Sequence, residues 1–144
     1  MAINILGQLA LLSLPTSLKV MTDLYYIKVR KMPINHRSEL KSFIGWGLLV
    51  SLLNALIMGN EYPFWVRFIE SVIMSSAIFF QFFDWGMGLA LHGNPFYLNN
   101  TSNGAKTDGL LDKLGPINAT FLRLWYSSLA YAVYFKEGIT QFIK

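Results

Sequence analysis

Residues 43–59, FIGWGLLVSLLNALIMG, carry no charge, and residues 71–91, SVIMSSAIFFQFFDWGMGLAL, carry only Asp84. A helical crossing of the hydrocarbon core takes about 20 predominantly apolar residues. Two such runs close together leave little room for a water-soluble alternative. The chain has 144 residues, 53% of them apolar and 14% charged, where an average soluble domain has roughly 25% charged. A soluble domain this small has too much surface for its volume to hide that apolar content, whereas a bilayer solvates it. The expectation is an all-α polytopic membrane helix bundle, a single domain over residues 1–144.

Four helical segments are expected, at about 2–31, 38–59, 64–92 and 116–135. The second is the clearest span, with Ser38 placed to cap it and Gly59, Asn60 and Pro63 to end it. The third closes at Gly93, Asn94 and Pro95. The fourth opens on Pro116, which suits a first helical turn because its missing N–H has no partner there to lose. The first is interrupted by Asn4, Gln8, Pro15 and Thr16 and followed by Lys19 and Asp23. It either spans, tilted and kinked near Pro15, giving four transmembrane helices, or lies in the interface, leaving three. Residues 93–115 are rich in turn formers and read as a linker, although Thr107 could cap a short amphipathic turn through Leu110, Leu111 and Leu114. The N-terminus lacks the basic start and clear cleavage site of a signal peptide.

Basic residues set the orientation. Lys19, Lys28, Arg30, Lys31, Arg37 and Lys41 flank the first connection, and Lys106 and Lys113 lie in loop 93–115; the short connection near Glu61 has none. The positive-inside rule places the first connection and loop 93–115 in the cytoplasm and the C-terminus outside. Lys28, Arg30, Lys31, Arg37 and Lys41 form a membrane-surface basic set suited to anionic headgroups. Tyr62, Phe64 and Trp65 read as an interfacial aromatic belt.

Ionisable residues inside membrane segments are costly and usually face the bundle interior. In the third segment Arg67, Glu70, Met74, Ala77, Gln81, Asp84, Gly88 and His92 recur three or four apart, which puts them on one helical face. Asp84 lies about two turns from the His92 end and Arg123 about two turns after Pro116, so both are expected roughly 10–13 Å inside one boundary, close enough to pair. Asp23 and His36 reach similar levels, so Asp23, Asp84, Arg123, His36 and His92 make a candidate buried polar cluster. It is either structural glue between helices or a functional centre such as a proton or ion relay. With no cysteine, disulfides and thiol chemistry are excluded, and no short metal-ligand motif occurs. No catalytic residue, metal or cofactor is assigned.

Several short motifs carry a resemblance: Lys19 and Asp23 closing the first segment, Asn35-His36 before the second, and Phe83-Asp84-Trp85 in the third. A loop with Gly93, Tyr97, Thr101-Ser102 and Asp108, then Leu110-Leu111-Asp112-Lys113, completes the set. In these the chain resembles a loose group of small uncharacterised multi-spanning membrane proteins of bacteriophages and prophages. The resemblance implies a bacterial inner-membrane or virion-membrane location and supplies no mechanism. The functional expectation is a non-enzymatic membrane component that works by assembly, as a homo-oligomer or with other membrane-protein subunits. Its partners are the bilayer and those subunits, with no nucleic acid and no small-molecule substrate. Alternatives are a holin-like pore former and an intramembrane enzyme or ion or proton carrier using the buried Asp, Arg and His groups.

Overall fold

A computed structural model describes residues 5–31, 36–57, 62–95 and 106–135. All its regular structure is helical: α1 (Ile5–Leu24), continued by a π-helical turn (Tyr25–Arg30), α2 (His36–Ile57), α3 (Phe64–His92) and α4 (Lys106–Tyr134). The Pro63 carbonyl accepts from the N–H groups of Val66 and Arg67 at the start of α3. At its end Gly93 turns left-handed at φ 66°. The Gly93 N–H then bonds the Leu89 carbonyl, the single bond of an αL stop, and that of Asn94 reaches Gly88.

The segment expected as linker differs from the reading above. Residues 106–114 are helical, and α4 breaks at Gly115 with φ 75° and ψ 162°. That backbone region is open essentially to glycine alone, so Gly115 supplies the corner and Pro116 begins the second half. The helix covers the short amphipathic turn through Leu110, Leu111 and Leu114 that stood as the alternative to a linker.

α3 is the central helix. It packs against α1, α2 and α4; α1 also packs on α2, while among the described residues α4 brings its backbone close to α3 and to no other helix. The Ser75 hydroxyl reaches the Leu12 carbonyl, Val20 touches Gly86, and Lys28 donates to the Ala90 carbonyl, so α1 runs parallel to α3. Arg67 against Ala55 and Phe43 against Phe79 make α2 antiparallel to it. Asp84 against Arg123 and Ser76 against Tyr126 do the same for α4. One end of the bundle therefore collects Arg30, Lys31, the start of α2, His92 and the start of α4.

The distribution of polarity is inverted. Among the described residues eleven polar or charged side chains are buried, against nine hydrophobic ones, four of which are alanine. Leu6, Leu14, Leu49, Trp65, Trp125 and Leu129 are among many large apolar side chains turned outward. By length and apolar content, one helix among the described residues qualifies to cross a membrane: α3. The apolar part of α2, Lys41–Ile57, is shorter. The four-span expectation is thus not met by that measure. The physical reason is visible in the packing: α1 and α4 spend one face on Thr16, Lys19 and Asp23, or on Arg123 and Ser127.

Candidate functional site

The interior holds two polar layers. In the first, near the α2–α3 connection, Asn54 donates through Nδ2 to Ser71 Oγ (2.9 Å) and to the Tyr134 hydroxyl (2.7 Å). Tyr134 donates to Gln8 Oε1 (2.7 Å), and Ser71 donates to the Arg67 carbonyl (2.8 Å). One connected chain of hydrogen bonds thus ties α1, α2, α3 and α4. Arg67 donates to the Ala55 carbonyl (2.7 Å), which lies in the last turn of α2 and would otherwise be short of a donor. Arg67 and Glu70 are both buried.

In the second layer Arg123 of α4 pairs with Asp84 of α3, and Lys19 pairs with Asp23 one turn along α1. The Arg123 side chain is 3% exposed and that of Asp84 32%. The Arg123 guanidinium lies over the Phe80 ring and the Lys19 ammonium over Phe83, at 5.7 and 5.8 Å from the ring centres. Cation–π contacts of this kind soften the cost of holding a cation among apolar groups. Between the layers sit Leu12, Val50, Met74 and Ile78, all buried and mutually packed with the Tyr134 ring.

On α3 the structure buries Arg67, Glu70, Met74, Ala77, Gln81 and Gly88, leaves Asp84 part-exposed and turns His92 outward. Gln81 accepts from the Tyr131 hydroxyl (2.9 Å). Of the five residues grouped above as a polar cluster, Asp84 and Arg123 meet directly. Asp23 is buried with Lys19 as its ion partner. His92, exposed at the end of α3, lies outside this layer. The side chains of His36, Arg37 and Ser38 lie outside the described residues.

The ion pair can also be placed against α2. Phe43 stacks on Phe79 at 4.1 Å. Counting along the antiparallel pair, Lys41 is level with Gln81, and Asp84 lies about one turn past the beginning of the apolar stretch Lys41–Ile57. The pair therefore sits at the edge of that stretch of α2, while on α3 itself Asp84 lies about two turns before His92. The end of α3 projects beyond the start of α2.

Of the basic set, Lys28, Arg30, Lys31 and Lys41 are exposed. Lys28 donates to the Ala90 carbonyl (2.6 Å), placing a cation at the C-terminal end of α3, where the helix dipole favours one. Arg30 donates to the Tyr25 hydroxyl (3.1 Å) and lies over its ring. Among the described residues no group of three or more His, Cys, Asp or Glu side chains stands ready to hold a metal.

Sequence reasoning missed Gln8, Lys19, Asn54, Ser71 and Tyr134. A signal was present. On α4 the buried residues Ala119, Arg123, Ser127, Ala130 and Tyr134 recur at four, four, three and four, the same one-face spacing that marked α3. Gln8, Leu12 and Thr16 repeat it on α1.

The chain matches no protein-family model, no curated protein and no solved structure.

Proposed function

We propose that this is an integral membrane protein, a bundle of four membrane helices that acts by assembly as a structural or accessory subunit of a membrane complex. A phage-encoded component of the bacterial inner membrane or of a virion membrane is the setting the motif resemblance favours. The carrying observation is the inverted polarity. A buried side chain such as Asn54 or Arg123 costs free energy unless it is bonded, so water-soluble folds put such groups outside and apolar groups inside. Here eleven polar residues are buried among the described ones, most of them joined by hydrogen bonds or ion pairs, while leucine, tryptophan and phenylalanine cover the exterior. Surrounding hydrocarbon makes that arrangement favourable: leucine loses nothing outside, and polar groups find partners only within.

α1 and α4, too polar by composition to qualify as spans alone, cross in this reading by turning their polar faces onto α3. The end that collects Lys28, Arg30, Lys31 and Lys41 is cytoplasmic by the positive-inside rule, with the C-terminus outside. Assembly is supported by the outer face of α2. Gly45 and Gly47 flank the exposed Trp46 there, with open space where a side chain would stand. Small residues on a lipid-facing surface let a second helix approach closely. The layer of Leu12, Val50, Met74 and Ile78 closes the interior of a single chain, which weighs against a pore through one bundle. A holin-like pore would have to form between copies. The alternative of an ion or proton carrier draws on the Asp84–Arg123 and Lys19–Asp23 pairs.

Mass measurement of the protein with whatever copurifies in native lipid nanodiscs tests the reading. A hetero-complex or a defined oligomer supports assembly. A lone monomer overturns it and shifts attention to the charged layer.

A further inference from the structure

α4 is two helices joined at a corner. Its first half, residues 106–114 with the sequence KTDGLLDKL, carries four of its five charges, and residues 115–122 carry none. The corner stands at a definite level. Gly115 precedes Arg123 by eight residues and His92 follows Asp84 by eight, and α3 and α4 are antiparallel about the Asp84–Arg123 pair. At ~1.5 Å per residue both points lie about 12 Å beyond the pair, so α4 turns where α3 ends. Gly115, at φ 75° and ψ 162°, makes the turn. Asn118 stitches the two halves, its Nδ2 donating to the Leu114 carbonyl at 2.9 Å. Beyond the corner the bundle offers little to pack on: among the described residues α4 comes close to α3 alone, and α3 has stopped.

We propose that residues 106–114 lie along the cytoplasmic surface of the membrane as an interfacial helix. Its partner is the boundary between lipid headgroups and acyl chains, and the corner at Gly115 fixes the depth of α4. The inference rests on the membrane reading. Residue spacing supports it. At about 100° per residue, the positions of Leu110, Leu114 and Leu111 fall within ~100° of one another, and Thr107 shares that stripe. The positions of Lys106 and Lys113 border one edge of the stripe, and those of Asp108 and Asp112 lie past the other. Leu114 is exposed, and the exposed apolar surface continues across the corner through Ile117 and Phe121. In an interfacial helix the apolar stripe sinks about 5–10 Å into the boundary, and lysines beside it lay their stems along the apolar surface and their ammonium groups among the phosphates. The acidic positions are set furthest from those phosphates. Nine residues extend about 13 Å, too short to cross a hydrocarbon core of about 30 Å, which leaves the surface as the place for this half. Such an anchor suits α4, whose backbone is held by one neighbouring helix.

The test uses the full chain, which has no cysteine, in nanodiscs. Asp108→Cys, Leu110→Cys, Leu111→Cys, Asp112→Cys and Leu114→Cys each carry a fluorophore, and circular dichroism checks that each keeps the wild-type helix content. Quenchers are a phospholipid with a doxyl group near the headgroup, one with it at the end of the acyl chain, and aqueous iodide. The expected result is that the shallow doxyl quenches the three leucine positions more than the two aspartate positions, and more than the deep doxyl does, with iodide showing the reverse order. Equal iodide quenching at all five positions would place the segment in water and overturn the proposal. Leucine positions shielded from doxyl and iodide alike would show that protein covers them, a second copy or another partner, and would also overturn it. Ile117→Cys, on the membrane side of the corner, separates the two levels of the claim. Doxyl quenching there without it at residues 110–114 defeats the interfacial helix alone, while free iodide access at Ile117 defeats the membrane reading as well.

Discussion

Removing Asp84 and removing Arg123 should not cost the same, although the two form one ion pair. Asp84→Asn leaves a guanidinium whose side chain is 3% exposed and whose counter-charge is gone. Breaking a buried pair in this sense costs about 3–5 kcal/mol, because the remaining charge is neither paired nor hydrated. Arg123→Met leaves a carboxylate that is one-third exposed at the edge of the apolar stretch. There solvent and headgroups can hydrate it, and the loss falls toward the ~1 kcal/mol of screened pairs. Taking the lower bound for the first, the difference is about 2 kcal/mol, or roughly thirtyfold in the unfolding equilibrium. The double variant Asp84→Asn/Arg123→Met should lie close to wild type, since both charges are absent. Reversible unfolding in mixed micelles, followed by tryptophan fluorescence, measures all four proteins. An Arg123→Met protein as unstable as Asp84→Asn, or more so, refutes the asymmetry and with it the placement of Asp84 at a hydrated edge.

Four further outcomes follow from single positions. Tyr134→Phe removes the hydroxyl that joins Asn54 to Gln8; a double-mutant cycle with Asn54→Ala should show coupling of about 0.6–1.7 kcal/mol, the range of hydrogen bonds between membrane helices. Gly115→Ala, at φ 75° and ψ 162°, should cost about 1–3 kcal/mol. Gly45→Ala on a helical backbone with open space around it should gain up to about 1 kcal/mol in the isolated bundle; the same unfolding titration compares them. Lys28→Gln frees the Ala90 carbonyl at the end of α3, and amide exchange should quicken in the last turn of α3 and in residues 25–30.

Legibility differed by link. The helical class and the buried face of α3 could be read because polar and small residues recur every three or four positions within an otherwise apolar run. The Asp84–Arg123 pairing could be anticipated because both are single charges in apolar segments. The partner of Asp23 was legible only locally: Lys19 is four residues away, the spacing at which helical side chains meet, yet attention to the long-range cluster passed over it. Asn54 and Tyr134 were hard to see for another reason. Their roles come from convergence of residues 17 and 80 positions apart, and an Asn or a Tyr in an apolar run looks the same whether it bonds across helices or faces a headgroup. The stagger of α2 against α3 was invisible for a related reason: register is set by contacts such as Phe43 on Phe79 and not by segment ends.

In the proposed arrangement hydrocarbon surrounds this bundle. Single spin labels at Leu14→Cys, Leu49→Cys and Leu129→Cys, all outward-facing positions, in the cysteine-free background measure it directly in nanodiscs by collision with oxygen and with a water-soluble nickel chelate. The account predicts strong oxygen collision and little nickel collision at all three, with both low at the buried Ser71→Cys. Nickel access at Leu14, Leu49 and Leu129 equal to that of a freely hydrated label would contradict it.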